Sequence, residues 1–152
     1  MSFTDRGGRW VLAQTLLMSA AVALGPLCPG AWAGPVAGCA GWILGTVGAI
    51  FGIAGAVTLG RARTIFPRPL PQAVLVRHGI YGRVRHPLYT SVSLLAFGWG
   101  LAWGSWPVLL VAALLGAFFD AKTRREERWL RERFPDYADY QRRVRRFLPG
   151  IY

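Results

Sequence analysis

Long apolar blocks alternate with short basic segments along this chain. No Asp, Glu, Lys or Arg occurs between Trp10 and Gly60, and none between His86 and Phe119. A soluble domain of this length must cover itself with polar side chains. A bilayer-spanning helix instead needs roughly 20 mostly apolar residues. Turn residues divide the blocks. Gly25, Pro26, Pro29 and Gly30 end a first span of about 10–27, and a second covers about 35–59. Pro87 suits the first turn of a third span, about 87–103, because its missing N–H has no partner to lose there. Gly104-Ser105 makes a tight turn, and Ser105 is placed to cap a fourth span of about 106–119, with Pro107 in its first turn. The predicted fold is all-α: a single integral membrane domain over 1–152 with four transmembrane helices, a cytoplasmic linker and a C-terminal cytoplasmic helical tail.

Charge then orients the spans. The formal charge of +11 sits on a few segments: Arg6 and Arg9, six Arg between Arg61 and Arg85, and ten Lys or Arg from Asp120 onward. The loops around 28–34 and 103–106 carry none. The rule that basic loops stay inside puts both termini and the linker in the cytoplasm, as an even number of spans requires, and gives a multi-pass protein of the cell (inner) membrane in contact with the lipid bilayer. Because the arginines flank apolar spans, nucleic-acid binding is not expected. Arg6, Arg9 and Ala31-Trp32-Ala33 mimic a signal peptide, but the apolar run between them exceeds the usual ~7–15 residues and reads as a retained span. Cys28 and Cys39 read as two small apolar residues rather than a disulfide, and their spacing gives no metal site.

Within the second span Gly34, Gly38, Gly41, Gly45, Gly48, Gly52 and Gly55 recur at alternating spacings of 4 and 3. That period draws one seam along a helix, where small residues allow close backbone approach. Packing against another span of the chain is the first reading, and a homodimer seam the second.

Chemistry-bearing residues lie outside the spans, in Arg77–Tyr89 and at Glu126-Glu127. Glu126 follows Ser105 by 21 residues, which at ~1.5 Å per residue is ~30 Å, one hydrocarbon thickness. A fourth helix continuing through Lys122 to about Arg133 therefore delivers Glu126 to the depth of His86, which opens the third. Arg85, His86, Tyr81, Tyr89 and Glu126 would then offer cationic, aromatic and carboxylate groups to a zwitterionic ligand that also has a ring. S-adenosylmethionine has these parts. An ATP-like or nicotinamide ligand would also find partners. The bland reading of the same residues is basic topology determinants and helix-surface ion pairs among Glu126, Glu127 and the neighbouring arginines.

The segment Gly79-Ile80-Tyr81-Gly82-Arg83-Val84-Arg85-His86-Pro87-Leu88-Tyr89 resembles the G-x-Y-x-x-x-R-H-P-x-Y motif of the isoprenylcysteine carboxyl methyltransferases and their bacterial relatives, which belong with the membrane phospholipid methyltransferases. Glu126-Glu127, Leu130, Phe134-Pro135-Asp136-Tyr137, Tyr140, Val144 and Pro149 are similar to that family's tail. The likeness covers about residues 73–150. It implies a membrane-embedded methyltransferase using S-adenosyl-L-methionine at the cytoplasmic face, in segments 73–89 and 120–149, on a lipophilic or small-molecule methyl acceptor. By position, Val74, Leu75 and Val76 would offer backbone groups to the cofactor. Tyr81, Arg85, His86, Pro87, Leu88 and Tyr89 would line its pocket, and Glu126 and Glu127 would meet it. Lys122 stands where the prenylcysteine enzymes place an Arg near the substrate carboxylate, so Lys122 and Glu126 are the candidate catalytic pair. A Lys keeps the charge there but loses the two-pronged fork. Phe134-Pro135 replaces the usual F-G and shortens that turn by one residue.

Two rivals remain at this point. One is an NADPH-dependent membrane reductase of related fold. The other is a non-catalytic membrane subunit whose basic tail, Arg142-Arg143-Val144-Arg145-Arg146, docks on anionic lipid or a partner.

Overall fold

The computed structural model describes residues 7–60 and 74–151. Arg6 and the linker residues Arg61, Arg63 and Arg68 lie outside them. The order among the described residues is α1 (Gly8–Leu27), α2 (Pro35–Leu59), a 3-10 turn (Gly79–Gly82), α3 (Pro87–Ala102), α4 (Trp106–Arg133) and α5 (Tyr137–Arg143). Proline stands in the first turn of α2, α3 and α4, where the backbone N–H it lacks would have had no helical partner. Ser105 does not cap α4: its hydroxyl is buried and has no hydrogen-bond partner among the described residues. Pro107, second in the helix, lacks one of the two N–H groups such a cap would serve.

Among the described residues three helices, α1, α2 and α4, are long and apolar enough to cross a membrane. α3, at 16 residues, is shorter than the ~20 that a perpendicular span takes. The side chains are arranged for an apolar solvent. In α2 the buried residues are Gly41, Gly48 and Gly55, while Trp42, Ile43, Ile50, Ile53 and Val57 point outward. In water such a continuous apolar face would be a severe liability. In lipid it is the ordinary exterior.

From Gly41 to Gly55 the glycine seam packs within the chain, against α3. A Cβ on Gly41 would lie 2.7 Å from the Gly98 carbonyl oxygen, one on Gly48 3.0 Å from that of Ser91, and one on Gly55 3.0 Å from the Leu88 side chain. α4 packs on α3 and α1, and Ala21, Ala96, Ala112, Leu115 and Phe119 form the core among these three helices. At one end the two charge-free loops meet: Gly30 donates its N–H to the Trp103 carbonyl at 3.0 Å, and Trp32 lies on Trp106 with centroids 5.0 Å apart. Cys28 and Cys39 are both free. At the other end α4 runs on to Arg133, and the tail folds back over the start of α3.

Candidate functional site

A proline disfavours helical backbone in the residue before it. Pro87 therefore keeps His86, at φ −129° and ψ 59°, outside α3, and the backbone N–H groups of Arg85 and His86 stay out of its helical ladder. These donate to the carbonyls of Arg145 (2.8 Å) and Arg146 (3.0 Å), alongside a parallel bridge between Val84 and Arg145. Upstream, Gly79 adopts φ +58°, and a Cβ there would lie 2.9 Å from the Thr58 hydroxyl, so glycine lets the linker return tightly onto the end of α2. The Tyr140 hydroxyl donates to the Tyr81 carbonyl at 2.6 Å. Tyr140→Phe leaves that buried carbonyl without this donor and is expected to cost about 1–2 kcal/mol, measured as a lowered unfolding midpoint in detergent.

Four side chains converge on Glu127, which is 1 % exposed. Arg85 Nε donates at 2.8 Å, Arg146 Nη2 at 3.0 Å and Gln141 Nε2 at 3.0 Å, with His86 Nε2 at 3.1 Å. Arg85 Nη1 also donates to the Gln141 carbonyl at 3.1 Å and to that of Val144. Arg146 reaches Asp120 at 2.7 Å. Both carboxylate oxygens of Glu127 are thus engaged, by the buried Arg85 and the partly buried Arg146 among others.

Glu126 is different. Its one hydrogen-bond partner among the described residues is the Tyr89 hydroxyl at 3.2 Å. The Tyr89 ring is stacked between His86 (centroids 5.6 Å, 17° between planes) and Phe119 (4.7 Å, 16°). Burial, reinforced by the charge of Glu126, pushes the Tyr81 phenol up to about 12, so it too stays protonated near this carboxylate. Lys122, one helical turn before Glu126, is buried; its Nζ donates to Gln14 Oε1 at 2.6 Å and lies 5.1 Å from the centre of the Tyr89 ring.

The depth argument thus brings imidazole and carboxylate together, but His86 bonds Glu127, and Glu126 takes Tyr89. Arg85 is no mere topology determinant, since it is buried on Glu127. Nor does the acidic pair form ordinary helix-surface ion pairs, for Arg124 binds Asp120 instead. Pro87 and Leu88 turn toward Gly55 of α2. Val74 is exposed, and Leu75 packs against the Tyr137, Tyr140 and Val144 cluster.

Sequence reading missed Arg146, Gln141 and Gln14. Arg146 was legible in part. In an extended segment alternate residues share a face, so Arg146 turns inward with the buried Val144 while Arg145 stays outside. Gln14 gave only the weak signal of an amide amid apolar neighbours.

The phospholipid methyltransferase family matches the chain over residues 36–137, well over half its length. The chain belongs to this family. The matched span runs from the start of α2 into α5 and contains Arg85, His86, Tyr89, Lys122 and both glutamates. Helix α1 and the tail beyond Tyr137, which supply Gln14 and Arg146, lie outside it. Among curated proteins, the cobalt-zinc-cadmium resistance protein CzcN of Cupriavidus metallidurans is 40 % identical over 78 residues, 51 % of this chain. The chain covers only 36 % of that protein's length.

Proposed function

We propose that this family member is an integral membrane methyltransferase that uses S-adenosyl-L-methionine on a lipophilic or small acceptor. In this reading the chain crosses the cell (inner) membrane four times with both termini in the cytoplasm, and α3 makes the short fourth crossing. The observation that carries the site assignment is the division of labour in the acidic pair. Glu127 is spent on Arg85, Arg146, His86 and Gln141, whereas Glu126 keeps acceptor capacity beside aromatic faces. A carboxylate next to stacked rings fits a sulfonium or ammonium cation. The Tyr89 hydroxyl, by donating to it, orients that carboxylate.

The bound cofactor supplies an electrophilic methyl group on a sulfonium. The protein's share is then positioning and exclusion of water, because displacement by an amine, thiolate or carboxylate needs little acid–base assistance. Glu126 binds the cationic end. His86, held by Glu127, and Phe119 fix the plane of the Tyr89 ring. Lys122 and α1 wall the side from which a lipophilic acceptor enters between helices.

Calorimetric titration into the purified protein tests this reading. Glu126→Gln removes the charge but keeps the shape, and S-adenosylmethionine should bind it about 10- to 100-fold more weakly, the range for one charge-assisted contact. Unchanged affinity, or wild-type protein that binds NADPH and not the sulfonium cofactor, overturns the assignment.

A further inference from the structure

Lys122 and Glu126 stand four residues apart on α4, so their side chains are neighbours on one face. A buried ammonium beside a carboxylate would ordinarily close an ion pair, yet none joins these two among the described residues. Each charge is instead bonded to a neutral partner: Lys122 Nζ to Gln14 Oε1 at 2.6 Å, and Glu126 Oε2 to the Tyr89 hydroxyl at 3.2 Å. An ammonium only donates, so the amide oxygen of Gln14 must face it. The amide nitrogen accordingly turns the other way, to the Met18 sulfur at 3.7 Å. The Tyr89 ring, 5.1 Å from Nζ, lies against the same ammonium.

We propose that Gln14 is a positioning residue: it holds the Lys122 ammonium off the Glu126 carboxylate, and so keeps that carboxylate un-neutralised for a cationic ligand. Because the amide is neutral, it anchors the lysine without adding a second negative charge to the site. Gln14 sits on α1, outside the residues matched by the family, so this chain's first helix contributes to the ligand's charge environment. The inference rests on the reading of Glu126 as the contact to a cationic cofactor.

The test compares two ligands of nearly equal shape, S-adenosylmethionine, whose sulfur is a cation, and S-adenosylhomocysteine, whose sulfur is neutral. Both are titrated calorimetrically into the full-length protein in detergent. Gln14→Leu frees Lys122 to swing onto Glu126. Affinity for the sulfonium ligand is then expected to fall about tenfold, with the neutral ligand changed less than about twofold. In a Lys122→Met background the same Gln14→Leu change should leave the ratio of the two affinities where Lys122→Met alone puts it. Gln14→Glu, which keeps an acceptor oxygen on Lys122, should not lower the ratio. Where Gln14→Leu fails to fold, Gln14→Asn withdraws the amide by one methylene and is read by the same ratio.

A Gln14 variant that loses both ligands equally, or leaves the ratio intact, overturns the proposal. Persistence of the Gln14→Leu effect without Lys122 does the same. Glu126→Gln in the same series separates the two levels. If it collapses the ratio and Gln14→Leu does not, only the role of Gln14 falls. If it leaves the ratio unchanged, the cofactor assignment falls and takes the Gln14 proposal with it.

Discussion

Glu127→Ala is expected to destabilise the protein by about 3–5 kcal/mol, because it leaves the buried Arg85 cation without its counter-charge. Arg85 and His86 come from the segment before α3, Arg146 and Gln141 from the tail, and all four meet on this one carboxylate of α4. The side chains of Arg85 and His86 are only 7 % and 6 % exposed, so water cannot replace the lost partner cheaply. Asp120 still holds Arg146, but nothing equivalent remains for Arg85 beyond the carbonyls of Gln141 and Val144. Thermal unfolding in detergent, followed by circular dichroism, measures the effect. Glu126→Ala is the internal comparison. It removes a half-buried carboxylate whose one hydrogen-bond partner among the described residues is Tyr89 and should shift stability by less than about 1.5 kcal/mol, one hydrogen bond's worth. Equal loss in the two variants would show that the adjacent glutamates do not divide structural from ligand-facing work.

That division is what the sequence could not reveal. A depth argument along α4 locates a residue to within about a turn, but neighbours on a helix point ~100° apart. Only the packed structure shows that Glu127 faces the segment before α3 and the tail while Glu126 faces Tyr89 of α3. The apolar blocks were legible because the charge-free stretches leave no other solvent for them, and the ends of α2 and the start of α3 coincide with Pro35, Leu59 and Pro87 as read. Which of the tail's arginines enters the site was not legible because its charges look alike in one dimension. Arg142, Arg143 and Arg145 are exposed, yet Arg146 turns inward. Gln14 escaped because its partner lies 108 residues away, on a helix whose pairing with α1 no local pattern encodes.

Gly98→Leu is expected to separate α2 from α3. The glycine period in α2 marked the seam, and its partner on α3 is the run Ser91, Gly98 and Ala102. At the closest point a Cβ on Gly98 would sit 2.6 Å from the Gly41 carbonyl oxygen and 2.9 Å from the Gly45 backbone nitrogen. Both are backbone atoms of a helix and have no rotamer to change. Helices in lipid associate through such close packing and not through a hydrophobic drive, so the gap opened by an added side chain has nothing else to refill it. The cost should be about 3 kcal/mol, the upper part of the overpacking range, and should appear as a lowered unfolding midpoint in detergent. Cofactor affinity should fall with it, since α3 begins at the site. Gly38→Ala supplies the contrast: a Cβ there meets nothing within 4 Å, and the helix interior gains roughly 0.5–1 kcal/mol from losing a glycine. A Gly98→Leu protein as stable as wild type would mean that the close approach of Gly98 to Gly41 and Gly45 is not what holds α2 against α3.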